Sequence, residues 1–162
     1  GKGDMGIFGK SRARGQNGPS LEELLEGLGM SGQDPEVVAA SIFSICEERL
    51  AVGNAASAAE LDNVALLLGV GLRIIRDLHS QNPSRHHNQL MDGLLLAAAA
   101  NNNTGHYAVA EQLLSEIIAP RCECSPRFVN VPQALGILQV VFLRQGKTAD
   151  AQRASKMLSD VA

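Results

Sequence analysis

The stretch from Ser57 to Pro83, SAAELDNVALLLGVGLRIIRDLHSQNP, decides the fold because it carries a complete helix signature. It opens with the capping-box pattern Ser57-Ala-Ala-Glu60, in which the serine hydroxyl and the glutamate carboxylate satisfy free N–H groups at the start of a helix. It closes with Asn82-Pro83, and the residue before a proline is disfavoured in the helical conformation. The sequence therefore predicts a helix from about residue 58 to residue 80.

The apolar residues of this stretch recur at helical spacing and cover more than one face. One stripe consists of Leu61, Val64, Leu68, Leu72 and Ile75, and it is widened by Leu67, Ile74 and Leu78. A helix that is apolar over so much of its surface is buried against neighbours on two sides. We expect this helix, the longest in the chain, to lie at the centre of the fold.

Similar start and stop signals predict helices on both sides of the central one. Ser20 to Glu23 is a second capping box, Asp34-Pro35 pairs a capping carboxylate with a helix-starting proline, and Ser84 is a capping serine. The predicted helices span residues 21–28, 35–52, 84–101, 106–119, 132–144 and 148–161. Residues 121–131 lack a helical period and are predicted to be a loop. Since no segment has the alternation of a strand, the predicted fold class is all-α.

The same pattern flanks two turn glycines, Gly105 and Gly146. The positions eleven, eight and four residues before each glycine hold Leu94, Ala97 and Asn101 in the first case and Leu135, Leu138 and Phe142 in the second. Five residues after each glycine stands an alanine, Ala110 or Ala151. Glycine permits a tight left-handed turn, and a small alanine lets the second helix of a hairpin press against the first. The sequence therefore predicts two equivalent helical hairpins.

This pattern resembles the tetratricopeptide signature, which has a large apolar residue, a leucine and an aromatic before the turn and a small alanine after it. The resemblance covers residues 94–118 and 135–158, with a weaker instance around Gly53 that includes Ile42, Ile45 and Ala58. The turn glycines lie 52 and 41 residues apart, whereas the family period is about 34 residues. The aromatic position holds Arg49, Asn101 and Phe142 in turn, and the chain has no Trp.

The resemblance implies antiparallel helical hairpins stacked in a tetratricopeptide-like right-handed array. The alternative is an ordinary bundle whose hairpins share the pattern, because Leu-rich helices joined at glycine are common. Either arrangement makes residues 20–162 a single all-helical domain. Residues 1–19 are predicted to be a disordered basic arm, and residues 1–4, which precede Met5, are open to interpretation as a tag remnant.

Charge and aromatic content argue against a nucleic-acid partner. Residues 1–19 hold four basic residues and one acidic residue, a charge of +3, so the chain's net charge of -3 leaves -6 on residues 20–162. An acidic domain repels a phosphate backbone. One Tyr, four Phe and no Trp leave few rings for stacking on bases. We therefore expect no nucleic-acid partner.

The sequence also lacks the usual signs of membrane insertion and catalysis. We expect no membrane span and a cytoplasmic location, because no signal-peptide pattern and no apolar run of about 20 residues is present. Cys46 is predicted to be a core residue, and Cys122 with Cys124 forms only half of a possible metal site. The four histidines are predicted to lie on the surface. A Cys122–His106 catalytic pair lacks an orienting third group, so we expect no enzyme activity. We also expect no metal and no cofactor.

The predicted function is therefore protein binding. The family resemblance implies an adaptor, scaffold subunit or chaperone that holds a protein or peptide segment on a concave face of stacked hairpins. Asn and Arg side chains on such a face commonly hold the carbonyl and carboxylate groups of a ligand chain, so the candidate partner-binding residues are Asn63, Arg73, Asn101, Gln139 and Arg144. The alternative is a self-assembling structural subunit of a viral or secretion-type assembly, a homo-oligomer.

Overall fold

The computed structural model describes residues 23, 26, 27 and 29 and the ranges 32–51, 58–119 and 130–161. Within these residues the chain is helical and contains no strand, so the predicted all-α class is confirmed. The helices of the three ranges are α1 (Pro35–Ala51), α2 (Ala58–Gln81), α3 (Pro83–Asn103), α4 (Tyr107–Ile118), α5 (Val131–Arg144) and α6 (Thr148–Val161). The predicted arm at 1–19, Gly53 and most of the predicted helix at 21–28 and loop at 121–131 lie outside the described residues.

Local chemistry accounts for the helix boundaries. The Asp34 carboxylate accepts a hydrogen bond from the Glu36 N–H at 3.0 Å and so caps α1. At the start of α3 the cap is Asn82, whose side chain accepts from the Arg85 N–H at 3.3 Å. The prediction that Ser84 caps this helix was wrong, because Asn82 takes that role and Pro83 is the first helical residue. Only one residue therefore separates α2 from α3.

The helices pack mainly against their neighbours in sequence. Each helix contacts the next, and in addition α1 contacts α3 and α3 contacts α5. Helix α2 packs against both α1 and α3, which confirms the predicted two-sided burial of the central helix. Its fully buried side chains are Val64, Leu68, Ile74 and Ile75. Aliphatic residues from α1 to α5 form the main core, because the chain has few aromatic rings.

The turns after α3 and α5 have the same backbone geometry. Gly105 and Gly146 have φ values of 84° and 75°, which confirms the predicted left-handed turns. Equivalent hydrogen bonds close the two turns. In the first turn, the His106 N–H donates to the Asn101 carbonyl at 2.8 Å and the Gly105 N–H donates to the Asn102 carbonyl at 3.3 Å. In the second turn, the Lys147 N–H donates to the Phe142 carbonyl at 2.8 Å and the Gly146 N–H donates to the Leu143 carbonyl at 3.0 Å. Ala110 and Ala151 are buried, at 0% and 3% exposure. The α3–α4 and α5–α6 hairpins are therefore equivalent at their turns.

The weaker instance of the pattern, on α1, departs from the other two. Ile42 is buried like Leu94 and Leu135, but Ile45 is 46% exposed. In the other hairpins the position eight residues before the glycine is buried, as Ala97 and Leu138. The first helix therefore keeps only part of the buried face that the repeat predicts. None of the helices described above combines the length and the apolarity needed to cross a membrane.

Candidate functional site in the groove between helices 1, 3 and 5

A groove of about 490 Å³ runs between α1, α3 and α5, and we call it the odd-helix groove. Each helix contributes residues spaced three or four apart, which lie on one face of a helix. The lining residues are Ala40, Phe43, Ser44 and Glu47 of α1, Gln89, Asp92, Leu95, Leu96 and Ala99 of α3, and Asn130, Gln133 and Ile137 at the start of and along α5. One face of each of these three helices therefore lines the groove.

The lining positions recur at constant distances from the turn glycines. Thirteen residues before Gly53, Gly105 and Gly146 stand Ala40, Asp92 and Gln133, and nine residues before them stand Ser44, Leu96 and Ile137. Gln89 and Asn130 are both sixteen residues before their glycine. Positions at equal sequence distances before the three glycines therefore meet in one surface.

The ring of Phe43 forms part of the groove wall and rests on two glycines. A Cβ atom added to Gly71 of α2 would lie 2.8 Å from Cε1 of Phe43, and one added to Gly93 of α3 would lie 2.7 Å from its Cζ. Carbon atoms at such distances overlap, so any larger residue at either position displaces the ring. The two glycines thus let α1 approach α2 and α3 closely enough for Phe43 to reach the groove.

The charged residues among those that line the groove are both acidic, Glu47 and Asp92. Burial raises the pKa of the Asp92 carboxyl, a hydrogen bond with the Asn130 side chain lowers it, and the negative charge of Glu47 raises it again. Neither carboxylate forms an ion pair with another described residue. The groove therefore presents negative charge that no described basic side chain neutralises.

The remaining lining side chains suit the binding of a peptide. Phe43, Leu95, Leu96 and Ile137 offer apolar contact surface. Gln89, Asn130 and Gln133 carry amides, each of which can both donate and accept hydrogen bonds and so can pair with a peptide backbone. No group of three or more potential metal-ligating residues occurs within the described ranges.

None of the five partner-binding residues predicted from sequence lines the groove. Asn63 is exposed and Arg73 half-buried on α2, and Gln139 is half-buried on α5. The side-chain N–H of Asn101 donates to the Ala97 carbonyl of its own helix at 2.7 Å.

Arg144, the last residue of α5, is held at the turn between α3 and α4. Its Nη1 lies 3.3 Å from the Asn102 side-chain oxygen and 3.4 Å from the Asn102 carbonyl oxygen, and its guanidinium lies 5.7 Å from the centre of the Tyr107 ring. The structure thus brings Arg144 near the residue that follows Asn101, but it does not gather the five predicted residues into one site. Their role in binding stays a prediction.

Sequence reasoning missed Phe43, Glu47 and Asp92. A signal for Asp92 was present, since the repeat that identified the buried positions also places Asp92 and Gln133 at the same distance before their glycines. Glu47 and Phe43 lie on the degenerate first unit, where the repeat is weakest.

The prediction that the histidines lie on the surface was wrong for His86 and His87, which are each 5% exposed. Nδ1 of His86 lies 2.9 Å from Oε1 of Gln89, and the rings of His79 and His87 are 5.9 Å apart. Both histidines are buried because the one-residue connection lays the first turn of α3 against the end of α2.

Cys46 is confirmed as a core residue. It is fully buried, and its thiol lies 3.9 Å from the Val64 carbonyl oxygen. Burial raises the pKa of the thiol, and the nearby charge of Arg49 lowers it. Cys122 and Cys124 lie outside the described residues.

Comparisons of the chain with protein-family models, with curated proteins and with solved structures find no match. A function must therefore be inferred from the chain's own geometry. Within the described residues, the odd-helix groove offers shape, apolar surface, hydrogen-bonding groups and charge in one place.

Proposed function

We propose that this chain is a non-catalytic protein-interaction module, an adaptor, scaffold subunit or chaperone, that binds a segment of a partner protein in the odd-helix groove. The observation that carries the proposal is that the groove is lined by residues at equal sequence distances before Gly53, Gly105 and Gly146. Stacked helical repeats use such extended surfaces, made from one helix of each repeat, to bind other proteins. The contacts of α1 with α3 and of α3 with α5 support a tetratricopeptide-like right-handed array as the arrangement.

The size and chemistry of the groove support a peptide segment as the ligand. Its volume of about 490 Å³ lies within the range of about 300–1,000 Å³ that is typical of ligand sites. Apolar residues on all three helices can hold alternate side chains of an extended or helical segment, while the amides pair with its backbone. We place this activity in the cytoplasm, and we expect no nucleic-acid partner because residues 20–162 carry a net charge of -6, the difference between -3 and +3.

Site-specific photocrosslinking tests the location of the binding surface. A photoreactive phenylalanine analogue replaces Ser44 or Gln133, two exposed positions of the groove, or Gln152, an exposed position of α6. We expect the photoreactive residue at Ser44 and the one at Gln133 to crosslink the same partner, and the one at Gln152 to crosslink none. The same analogue at Asn63 tests the residue that the sequence indicated on α2. Equal capture from Gln152, or capture from Asn63 alone, would contradict binding in the groove.

Exposed apolar residues favour one second candidate, a self-assembling subunit. Val140 and Leu143 of α5 and Met157 and Val161 of α6 are between 39% and 53% exposed. Clusters of exposed apolar side chains often mark contacts between subunits. Size-exclusion chromatography with light scattering separates the two functions: a monomer at micromolar concentration supports the interaction module. A discrete oligomer that Met157→Lys dissociates supports self-assembly.

A further inference from the structure

We propose that the odd-helix groove selects a partner segment that carries a lysine or arginine beside apolar residues, and that Asp92 and Glu47 bind the basic group. This inference rests on the proposed function and names the chemical class of its partner. Three observations support it: the ion pairs that other carboxylates form between the described helices, the electrostatics of the groove, and the apolar surface beside the two acids.

Carboxylates that reach across to another helix or turn in this structure generally meet a basic side chain. Glu116 pairs with Arg76 at 2.7 Å, Glu36 with Arg85 at 2.9 Å and Glu111 with Lys147 at 2.8 Å. Asp92 and Glu47 are also brought together from two different helices, yet no described lysine or arginine pairs with either. Among the described residues, Asp92 and Glu47 thus lack the basic partner that Glu116, Glu36 and Glu111 have.

The electrostatics around Asp92 and Glu47, which are both exposed to solvent, favour an added positive charge. Burial and the negative charge of Glu47 both raise the pKa of Asp92, against the opposing hydrogen bond with Asn130. Both effects mean that the ionised form of Asp92 is destabilised in the folded protein. A bound cation reverses the second effect, because an opposite charge within a few ångströms stabilises the carboxylate.

The apolar surface next to the acids suits the remainder of such a segment. The long aliphatic stems of lysine and arginine bury well along apolar side chains while their charged ends reach an acceptor. Phe43 and Leu96 line the groove one helical turn from Glu47 and Asp92, and Ile137 extends the apolar surface onto α5. A segment with a basic residue flanked by apolar ones is therefore complementary to the groove in both charge and polarity.

Selection from a random peptide library tests this preference on the full chain. A phage-displayed library is selected against the immobilised protein, and in parallel against Asp92→Asn/Glu47→Gln and Ile137→Glu. We expect peptides with a lysine or arginine beside apolar residues to be enriched by the parent protein. The double variant should keep the apolar preference and lose the basic one, whereas Ile137→Glu should lose the enrichment altogether. Circular dichroism confirms that the variants are folded.

The two possible failures are distinguishable. Peptides that bind in an Ile137-dependent manner but show no basic preference would overturn this inference and leave the proposed function standing. If no peptide enrichment depends on Ile137, both this inference and the proposed function are overturned.

Asp62→Asn, which removes an exposed carboxylate of α2 outside the groove, serves as the matched control and should select the same peptides as the parent.

Fluorescence anisotropy with the best selected peptide gives the magnitude. We expect Asp92→Asn to weaken binding about tenfold or more, the loss of one charge-assisted hydrogen bond, and a peptide with glutamine in place of its basic residue to lose as much. The two changes together should cost little more than either alone, because they remove the same interaction. Additive losses would overturn the assignment of the basic group to Asp92.

Competition in the same assay and size-exclusion chromatography with light scattering test two other occupants of the groove. A synthetic peptide of residues 1–19, which contains four basic residues, should compete weakly. Competition equal to that of the selected peptide would overturn the proposal in favour of the chain's own N-terminal segment. Self-association that Asp92→Asn abolishes would overturn it in favour of a second copy of the chain.

Discussion

At the scale of single residues, the groove depends on side chains that carry a cost to stability. The ionised Asp92 lies near Glu47 and is partly desolvated, and both effects disfavour its charge. Phe43 reaches the groove only because Gly71 and Gly93 lack side chains, and glycine within a helix is itself unfavourable. Residues that lower stability in this way are common at functional sites, where natural sequences depart from the most stable choice.

The raised pKa of Asp92 predicts that Asp92→Asn stabilises the protein at neutral pH. Because the folded-state pKa lies above the unfolded-state value, the penalty is absent below the unfolded-state pKa, grows as the pH rises towards the folded-state pKa and is complete above it. Asparagine keeps the shape and removes the charge. We therefore expect a higher melting temperature for the variant at pH 7, with a difference that shrinks as the pH falls towards the ordinary pKa of an aspartate. Thermal unfolding followed by circular dichroism across this pH range checks it, and a variant less stable than the parent at pH 7 would contradict the electrostatic argument.

A pair of glycine substitutions tests the packing of Phe43. Gly69→Ala adds a methyl group where nothing lies within 4 Å, so we expect the gain of about 0.5–1 kcal/mol that alanine gives over glycine in a helix. Gly93→Ala places its Cβ 2.7 Å from the Phe43 ring and 3.1 Å from Leu72, and overpacking costs about 1–3 kcal/mol. Urea unfolding should therefore show Gly69→Ala as more stable than the parent and Gly93→Ala as no more stable. A gain for Gly93→Ala equal to that of Gly69→Ala would mean that the ring is not held between the helices.

At the scale of helices and hairpins, the sequence predicted what local chemistry determines. Capping residues, prolines and turn glycines act within a few positions of themselves, so most helix boundaries were predicted within a few residues. The cap of α3 was missed because Asn82 and Ser84 are both capable of the role, and burial of His86 and His87 depends on how α3 lies on α2. The groove was missed for the same reason: it exists only where faces of three helices meet, and the spacing within one helix does not show which faces do so.

The equivalence of the two hairpins makes a claim about four alanines that simple amphipathic helices do not make. Ala110 and Ala151 are buried on the second helix of each hairpin, whereas Ala108 and Ala149 are exposed. We expect Ala110→Leu and Ala151→Leu each to cost about 1–3 kcal/mol through overpacking. The same change at Ala108 or Ala149 should cost much less, because leucine and alanine differ little in helix propensity. Urea unfolding of the four variants measures the contrast. If Ala110→Leu were as stable as Ala108→Leu, and Ala151→Leu as stable as Ala149→Leu, the repeat would have no structural meaning.

At the scale of the whole molecule, the contacts between helices agree with the proposed repeat array. The main contacts join helices that follow each other in sequence, with further contacts between α1 and α3 and between α3 and α5. The main apolar core extends from α1 to α5, while the buried Ala151 and Ala154 of α6 lie outside that cluster. Helix α6 is therefore attached chiefly through α5, as the terminal element of an array is.

The proposed array predicts that damage at the last hairpin stays local. In an array each unit contacts only its neighbours, so opening of the terminal unit does not require the others to unfold. We expect Ala151→Leu to reduce hydrogen-exchange protection of the amides of α5 and α6 and to leave α2 and α3 protected. Ile75→Ala, which leaves a cavity in the central helix and costs about 2–5 kcal/mol, should reduce protection along the whole chain.

Ala149→Leu, the same substitution at an exposed position of the same helix, is the control for Ala151→Leu and should alter protection little. Native-state hydrogen exchange by mass spectrometry resolves these helices. If Ala151→Leu lowered protection in α2 and α3 as much as in α6, the chain would unfold as one cooperative bundle, and the reason for interpreting its groove as the surface of a repeat array would be lost.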